Sequence, residues 1–180
     1  MSLVATSGGG YTSYIVPFEE LTVDDVRKIR QEALSALTQM IRDNGKNPAD
    51  YVVRDLQATD LGYSAPDFTT SVTATGWQQI ASLTVPENKF IVIYGFEELS
   101  PEPKFTSLML YNGVKAVAWF DLQKLYGYRT QAGYFEVQRW MPGQVLSISV
   151  YASTTGTDVP VILGLIAELA GQNIARPGPS

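Results

Sequence analysis

Apolar residues alternate with small or polar ones in the two runs that flank Asn112-Gly113. Such alternation, in FTSLMLY and VKAVAWF, is typical of strands with one buried face. Asn-Gly is also the dipeptide that best tolerates the two consecutive positive φ angles of a type I′ turn. The pattern therefore predicts a β-hairpin over residues 105–120, with a type I′ turn at Asn112-Gly113.

The same two-residue period runs through most of the chain after residue 67. Short segments rich in proline, glycine and asparagine interrupt it, and almost no helical pattern intervenes. About eight strands at this spacing are typical of an antiparallel sandwich or barrel. Besides the hairpin, we expect a loop over residues 154–158 and strands over residues 68–74, 77–85, 89–99, 133–139, 144–153 and 159–169.

A period of three to four residues marks Thr22 to Gly45 as a helix. Thr22 is suited to cap its start together with Asp25, and Gly45 supplies the positive φ that commonly ends helices. We expect the apolar stripe of this helix to contact partner copies of the chain, with packing on the chain's own β-region as the alternative. The stripe consists of Val26, Ile29, Ala33, Leu37, Met40 and Ile41.

The chain before residue 67 is expected to be organised differently from the rest. Residues 1–16 are predicted to form a flexible arm whose Tyr11, Tyr14 and Ile15 become ordered against a neighbouring subunit or against the chain itself. Tyr51–Asp67 is interpreted as a mostly extended linker. The predicted organisation is an arm, helix and linker over residues 1–66, a β-domain over 67–170 and a tail over 171–180.

Composition narrows the classes of function. A net charge of −5 and a pI of about 4.7 argue against nucleic-acid binding, which needs clustered lysine and arginine. Charged residues make up 17% of the chain, which favours either surfaces covered by other protein or a polar, uncharged β-surface. The sequence shows neither a secretion signal nor an apolar run long enough to span a membrane, so we expect synthesis in the cytoplasm without an anchor.

The range of catalytic and metal-binding chemistry is limited because the sequence contains neither cysteine nor histidine. Without them there is no thiol nucleophile, no serine–histidine pair and no ordinary zinc ligand set, and we predict no catalytic residue, cofactor or metal site. A pair of carboxylates remains as the enzymatic alternative. Glu97 and Glu98 are expected to be solvated on opposite faces of a strand. Glu168 is expected to point outward from an edge strand, paired with Arg129 or Arg139.

Aromatic residues are the remaining candidates for a binding site. Trp77, Trp119 and Trp140 could form a platform on which sugars stack, although burial in strands and pairing across them are commoner roles for such rings. Near the segment 125–133, the predicted contacts with a ligand or partner are Tyr126, Tyr128 and Tyr134.

Several strings of the β-region resemble virion structural proteins of tailed phages and related viruses, notably capsid decoration or cement proteins. These strings are IASLTVPENKFIVIYGFEEL, SLMLYNG, GYFEVQRWMPGQVLSISVYAS and VPVILGLIAELAG. The resemblance implies a mainly β fold, namely a single antiparallel jelly-roll sandwich of about eight strands preceded by an N-terminal arm and one amphipathic α-helix.

In that family the jelly roll lies on the outside of the capsid, commonly as a trimer, and an N-terminal segment clamps the shell. The resemblance therefore implies a non-enzymatic protein of the outer virion surface, made in the host cytoplasm. Its partners would be its own copies, as a homotrimer, and the major capsid protein. The alternatives are a shell-forming capsid or spike subunit of the same fold, a carbohydrate-binding β-sandwich module and an enzyme that uses carboxylates alone.

Overall fold

The computed structural model describes residues 11–171, so the predicted arm before Tyr11 and the tail after Gly171 lie outside the described residues. Within this range the chain forms one α-helix, α1 (Val23–Asp43), and several short 3₁₀ turns. The strands, in chain order, are β1 (Ile15–Pro17), β2 (Tyr51–Asp55), β3 (Thr70–Val72), β4 (Gly76–Thr84), β5 (Lys89–Glu98), β6 (Phe105–Asn112), β7 (Lys115–Asp121), β8 (Ala132–Trp140), β9 (Val145–Ala152), β10 (Gly156–Asp158) and β11 (Pro160–Leu169).

The fold is mainly β, with two large antiparallel sheets. One sheet has the strand order β1-β8-β5-β11-β2 and the other has the order β4-β9-β6-β7, while β10 and β3 pair separately. We call the first the middle sheet and the second the outer sheet, because α1 packs on the face of the first that is turned away from the second. The result is a sandwich-like body with a helix on one side.

Strand β5 runs through the centre of this arrangement and is buried on both faces. Its residues Ile91 and Ile93 lie in the core between the two sheets, whereas Phe90, Val92 and Tyr94 lie in the core under the helix. A strand that is covered on both faces has no solvent-facing positions to keep polar. This explains why β5 is apolar at nearly every position while most other strands alternate.

The helix begins and ends where the sequence predicts. The Asp25 amide donates to Thr22 Oγ1 (3.1 Å) and the Thr22 amide donates to the Asp25 carboxylate (3.0 Å), which completes a capping box. Gly45, just past the last turn, has a φ of 74°. The apolar stripe is buried because the helix packs on the chain's own middle sheet, which was the alternative to contact with partner copies. The buried stripe residues are Ile29, Ala33, Leu37, Met40 and Ile41.

The described part of the N-terminal arm joins the two sheets. Thr12 donates its amide to the Val117 carbonyl (3.0 Å) and accepts a hydrogen bond from the Trp119 amide (2.9 Å), at the edge of the outer sheet. Ile15 then pairs with Phe135 at the edge of the middle sheet and is only 1% exposed. Ile15 is therefore ordered against its own chain, because strand pairing and burial here satisfy both its backbone and its side chain.

The segment Tyr51–Asp55 was interpreted as linker, and the structure corrects this interpretation. The segment is strand β2 and pairs with β11 along its length at the edge of the middle sheet. Its extended conformation follows from the sequence, but its pairing does not, because adjacent Val52 and Val53 are both exposed and break the alternation. Elements from both sides of residue 66 therefore share one sheet and one core.

The hairpin forms as predicted, but its turn differs from the predicted type. Asn112 pairs with Lys115, so the two central residues are Gly113 and Val114. Gly113 has a φ of 64°, and neither Asn112 nor Val114 has a positive φ. A positive φ at the first central residue alone is the pattern of a type II′ turn, which takes glycine there. The prediction of a type I′ turn at Asn112-Gly113 was therefore wrong, because the turn is centred one residue later and is of type II′.

Each strand segment predicted after residue 67 contains a strand. The predicted loop over residues 154–158 instead includes β10, which pairs with β3 at Gly156↔Val72. Within residues 11–171 no helix combines the length and the apolar character that crossing a bilayer requires.

Candidate functional site

Six of the twelve side chains in the predicted contact set are buried within the chain, each at most 4% exposed: Ile15, Ile29, Ala33, Leu37, Met40 and Ile41. A partner does not reach them while α1 and β1 stay on the middle sheet. Tyr14 is 43% exposed and has Lys124 Nζ 5.4 Å from its ring centroid. Tyr11 and Val26 are half-buried.

The three tyrosines near the loop do not form a common site. Tyr126 packs against the core between the sheets and donates its hydroxyl to the Phe105 carbonyl. Tyr134 lies on the helix side of the middle sheet, stacked on Tyr94 with ring centroids 6.0 Å apart. Tyr128 is half-buried in the loop that separates them.

An exposed apolar patch lies where the helix begins. We define the helix-start patch as Phe18, Leu21, Val23 and Val26, which line a pocket of about 180 Å³. Phe18 is 37% exposed and Val23 is 77% exposed. Exposed apolar patches mark contacts with other molecules when several such residues are contiguous.

A second exposed surface lies on the outer sheet. We call it the aromatic face and define it as Tyr11, Trp77, Trp119 and Tyr151. The rings follow one another in a row: Tyr11 is 6.1 Å from Trp119, Trp119 is 6.2 Å from Trp77, and Trp77 is 5.5 Å from Tyr151, measured between centroids. Trp77, Trp119 and Tyr151 are each exposed by more than two fifths. The third tryptophan, Trp140, is fully buried and donates Nε1–H to the Tyr111 carbonyl.

Strand register explains how this row arises. Trp77 of β4 lies opposite Tyr151 of β9, and Tyr151 in turn lies opposite Ser107 of β6. Ser107 lies opposite Asp121 of β7, two residues beyond Trp119 and so on the same face. The alternation that buries one side of each strand thus collects rings and hydroxyls on the other side.

A groove of about 520 Å³ opens beside Trp119 at one end of the aromatic face. Besides Tyr11 and Trp119, four polar residues line it: Ser13, Ser107, Asp121 and Gln123. The Gln123 backbone amide donates to Asp121 Oδ1 (3.0 Å), and this hydrogen bond orients the Asp121 carboxylate at the groove.

Two carboxyl groups are buried where β5 ends and β11 begins. Glu98, expected to be solvated, is 2% exposed, and Asp158 is fully buried. Glu98 Oε1 accepts hydrogen bonds from the Ser100 and Val159 amides (3.0 Å each), and Asp158 Oδ2 accepts one from the Lys104 amide (2.7 Å). Backbone donors compensate the burial, so this pair fixes chain connections and offers no carboxylate to solvent.

Glu168 also lies elsewhere than predicted. It belongs to β11, an interior strand of the middle sheet, and is 1% exposed. Arg54 Nη2 donates to Glu168 Oε1 (2.7 Å), and the same guanidinium forms two hydrogen bonds of 2.7 Å with Asp60. Lys89 Nζ is 3.5 Å from Glu168 Oε1. The predicted partners Arg129 and Arg139 were wrong because β2, which brings Arg54, was missed.

Within residues 11–171 no three acidic side chains lie close enough together to hold a metal ion. Neither the known protein-family models nor the curated protein sequences contain a match to this chain. The two exposed surfaces, the helix-start patch and the aromatic face, are therefore interpreted from their own geometry.

Proposed function

We propose that this chain is a non-enzymatic virion structural protein that decorates and stabilises a viral capsid as a homotrimer. The observation that carries the proposal is the strand order. The orders β2-β11-β5-β8 and β4-β9-β6-β7 each fit one four-stranded half of a jelly roll, with β1 added at one edge. A jelly roll is a fold common in virus capsid proteins.

The path of the chain supports this interpretation of the strands. From β4 onward the large strands alternate between the sheets, and only the β6–β7 hairpin keeps two consecutive strands in the same sheet. Such alternation is what two interleaved Greek keys produce. In this interpretation the first strand of the jelly roll is β2, which lies in the segment that the sequence predicted to be linker.

The helix-start patch supports assembly through the N-terminal region, although not through the buried stripe. Two of its members are exposed. Phe18 lies in the connection between β1 and α1, and Val23 is the first residue of α1. We propose that this patch contacts a second copy in the trimer. Capping and packing hold α1 rigidly, so little ordering entropy opposes such a contact.

Light scattering coupled to size exclusion tests the trimer. The wild type is expected at three times the chain mass of 19.7 kDa, and Val23→Asp is expected to be monomeric. An acidic residue at the start of a helix is compatible with the helix dipole, so the variant should fold. Val114→Asp is the matched control, because Val114 is fully exposed at the hairpin turn and outside the patch. A monomeric wild type at micromolar concentration would contradict the proposal.

Antibodies against the purified chain test the virion role. On intact particles from the cells that carry the gene, immunogold electron microscopy should show label on the outer shell. Label on particles only after disruption would favour an internal component instead. Label at every shell position, with no other major shell protein in the particle, would favour the shell-forming alternative.

A further inference from the structure

We infer that the aromatic face is a binding site for a neutral saccharide chain, with the groove beside Trp119 as its main subsite. The inference rests on the exposed rings, the polar residues among them and the charge of the groove. It does not depend on the proposed virion role.

Exposed indole rings need a reason when they occur together. Trp119 is 45% exposed and Trp77 is 42% exposed, and they lie side by side on a surface that is otherwise largely polar. A pyranose ring presents C–H groups on its faces, which pack on an aromatic ring and exclude water from it. Trp77 and Trp119 meet edge to face, at an interplanar angle of 73°, so they offer this contact in two different planes.

Polar side chains that line the groove are suited to bind the hydroxyl groups at the edges of a sugar ring. Asp121 supplies carboxylate oxygens that accept hydrogen bonds, and Gln123 supplies an amide that both donates and accepts. Hydroxyls of Ser13 and Ser107 do the same on a smaller scale. Hydroxyl-rich ligands need this mixture of acceptors and donors around a stacked ring.

Charge separates a saccharide from other ligands that stack on aromatic rings. Single-stranded nucleic acids stack in the same way but require a positively charged groove for their phosphates. Asp121 is the single charged residue among those that line this groove, and it is negative. The same charge disfavours sulfated or carboxylated glycans, so the site fits neutral sugars.

The surroundings of the rings argue for a saccharide over a second copy of the chain. Between Trp77 and Trp119 the sheet surface carries Ser107 and Ser149, with the half-buried Met109 as the only aliphatic side chain among these three. Serine is depleted in the cores of protein–protein interfaces, where large aliphatic side chains usually surround the aromatic ones. The pocket of the helix-start patch, by contrast, is lined by apolar side chains except for Thr22.

The site is also held in place before a ligand arrives. The Trp119 amide donates to the Thr12 carbonyl, and Gln138 Nε2 donates to Thr12 Oγ1 (3.0 Å), so the arm that carries Tyr11 is fixed beside Trp119. A site with fixed rings loses little conformational entropy when it binds.

The test is a titration of the full chain with neutral and acidic oligosaccharides. Maltohexaose, cellohexaose, chitohexaose and xylohexaose are the neutral probes, and hexagalacturonate is the acidic one. Binding is followed by tryptophan fluorescence and isothermal calorimetry. We expect at least one neutral probe to bind with a blue-shifted emission, and hexagalacturonate to bind at least tenfold more weakly.

Variants assign the binding to the aromatic face. Trp119→Ala is expected to weaken binding at least tenfold, Trp77→Ala less, and Asp121→Ala several-fold. Leu99→Ala is the matched control, because Leu99 is 55% exposed, lies outside both the aromatic face and the helix-start patch, and should leave sugar affinity unchanged. Circular dichroism and the thermal midpoint establish that each variant is folded.

Three outcomes would overturn the inference. One is that no neutral probe binds the wild type at millimolar concentration. Another is that a probe binds but Trp119→Ala and Trp77→Ala retain full affinity. The last is that these two substitutions abolish self-association and not sugar binding, which would make the aromatic face an interface between copies.

Discussion

Glu98 and Asp158 bring two carboxyl groups together in the interior of the protein. Glu98 Oε2 and Asp158 Oδ1 are both buried, and neither accepts a hydrogen bond from the rest of the protein. Burial, and to a lesser extent the neighbouring Asp158, raises the pKa of Glu98 to about 7. Lys104 Nζ lies 3.5 Å from Asp158 Oδ1 and stabilises the charge of that carboxylate, and a proton on Glu98 removes the repulsion between the two groups.

The first prediction concerns the pH dependence of stability. Because the pKa of Glu98 is raised from 4.5 in the unfolded chain to about 7 in the fold, its protonation stabilises the fold fully below about 4.5. This contribution is lost as the pH rises through 7. On the order of 1–3 kcal/mol should disappear between pH 5 and pH 8. Urea denaturation at a series of pH values measures the effect.

A matched pair of variants assigns that pH dependence. Glu98→Gln keeps an acceptor for the Ser100 and Val159 amides and adds a permanent donor toward Asp158, so its stability should change much less over this range. Glu97→Gln on the same strand should keep the wild-type pH profile. If both variants follow the wild-type profile, protonation of Glu98 is not the cause of the pH dependence.

The second prediction concerns the packing of the helix. Leu37 is 1% exposed under α1, and Leu34, one turn earlier, is 39% exposed at the edge of the buried stripe. Leu37→Ala should lower the free energy of unfolding by about 2–5 kcal/mol, because it leaves a cavity. Leu34→Ala should change it by about 0.5 kcal/mol or less. Equal effects would show that the stripe is not buried in solution.

Removal of the N-terminal region gives an independent measure of the same packing. The predicted division into an arm, helix and linker over residues 1–66 and a separate β-domain implies that a chain without residues 1–45 keeps that domain folded. The structure predicts the opposite, because the deletion exposes the underside of the middle sheet, including Phe90, Val92 and Leu165. Near-ultraviolet circular dichroism should show that fixed aromatic packing is lost.

The third prediction concerns Arg54. The hydrogen bonds from Arg54 and from the Gln57 amide outweigh burial and lower the pKa of Asp60, and Arg54 also binds the buried Glu168. Arg54→Met should lower the free energy of unfolding by about 3 kcal/mol, because it removes the cation that pairs with the buried carboxylates of Asp60 and Glu168. Arg27→Met removes the exposed pair with Asp24 and should cost about 1 kcal/mol or less. Chemical denaturation of both variants compares them directly.

Local patterns predicted the elements well but not their partners. The capping residues and the stripe define α1, and alternation locates the strands after residue 67. Pairing between distant segments leaves no such mark, so β2 was taken for linker and Glu168 was given the wrong partner. Glu98 was misplaced for a related reason: a charged residue beside a turn is normally solvated, and only the fold supplies the amides that compensate its burial.

The aromatic face was only partly accessible to sequence reasoning. Trp77 and Trp119 were candidates from the start, but nothing local distinguishes them from Trp140, which is buried. The signal lies in register: Tyr151 and Asp121 reach the same surface only because β4, β9, β6 and β7 pair in that order. Alternation within each strand, combined with a known strand order, would have identified the face.

The last prediction tests the corrected hairpin turn. Gly113 has a φ of 64° and open space around its Cα, so Gly113→Ala should cost about 1 kcal/mol through backbone strain alone. Asn112 has no positive φ, so Asn112→Ala should cost clearly less. Gly127→Ala is the control, because Gly127 has equal space and no positive φ. A type I′ turn centred on Asn112-Gly113 would instead make Asn112→Ala about as costly as Gly113→Ala, and thermal denaturation of the three variants distinguishes the two turns.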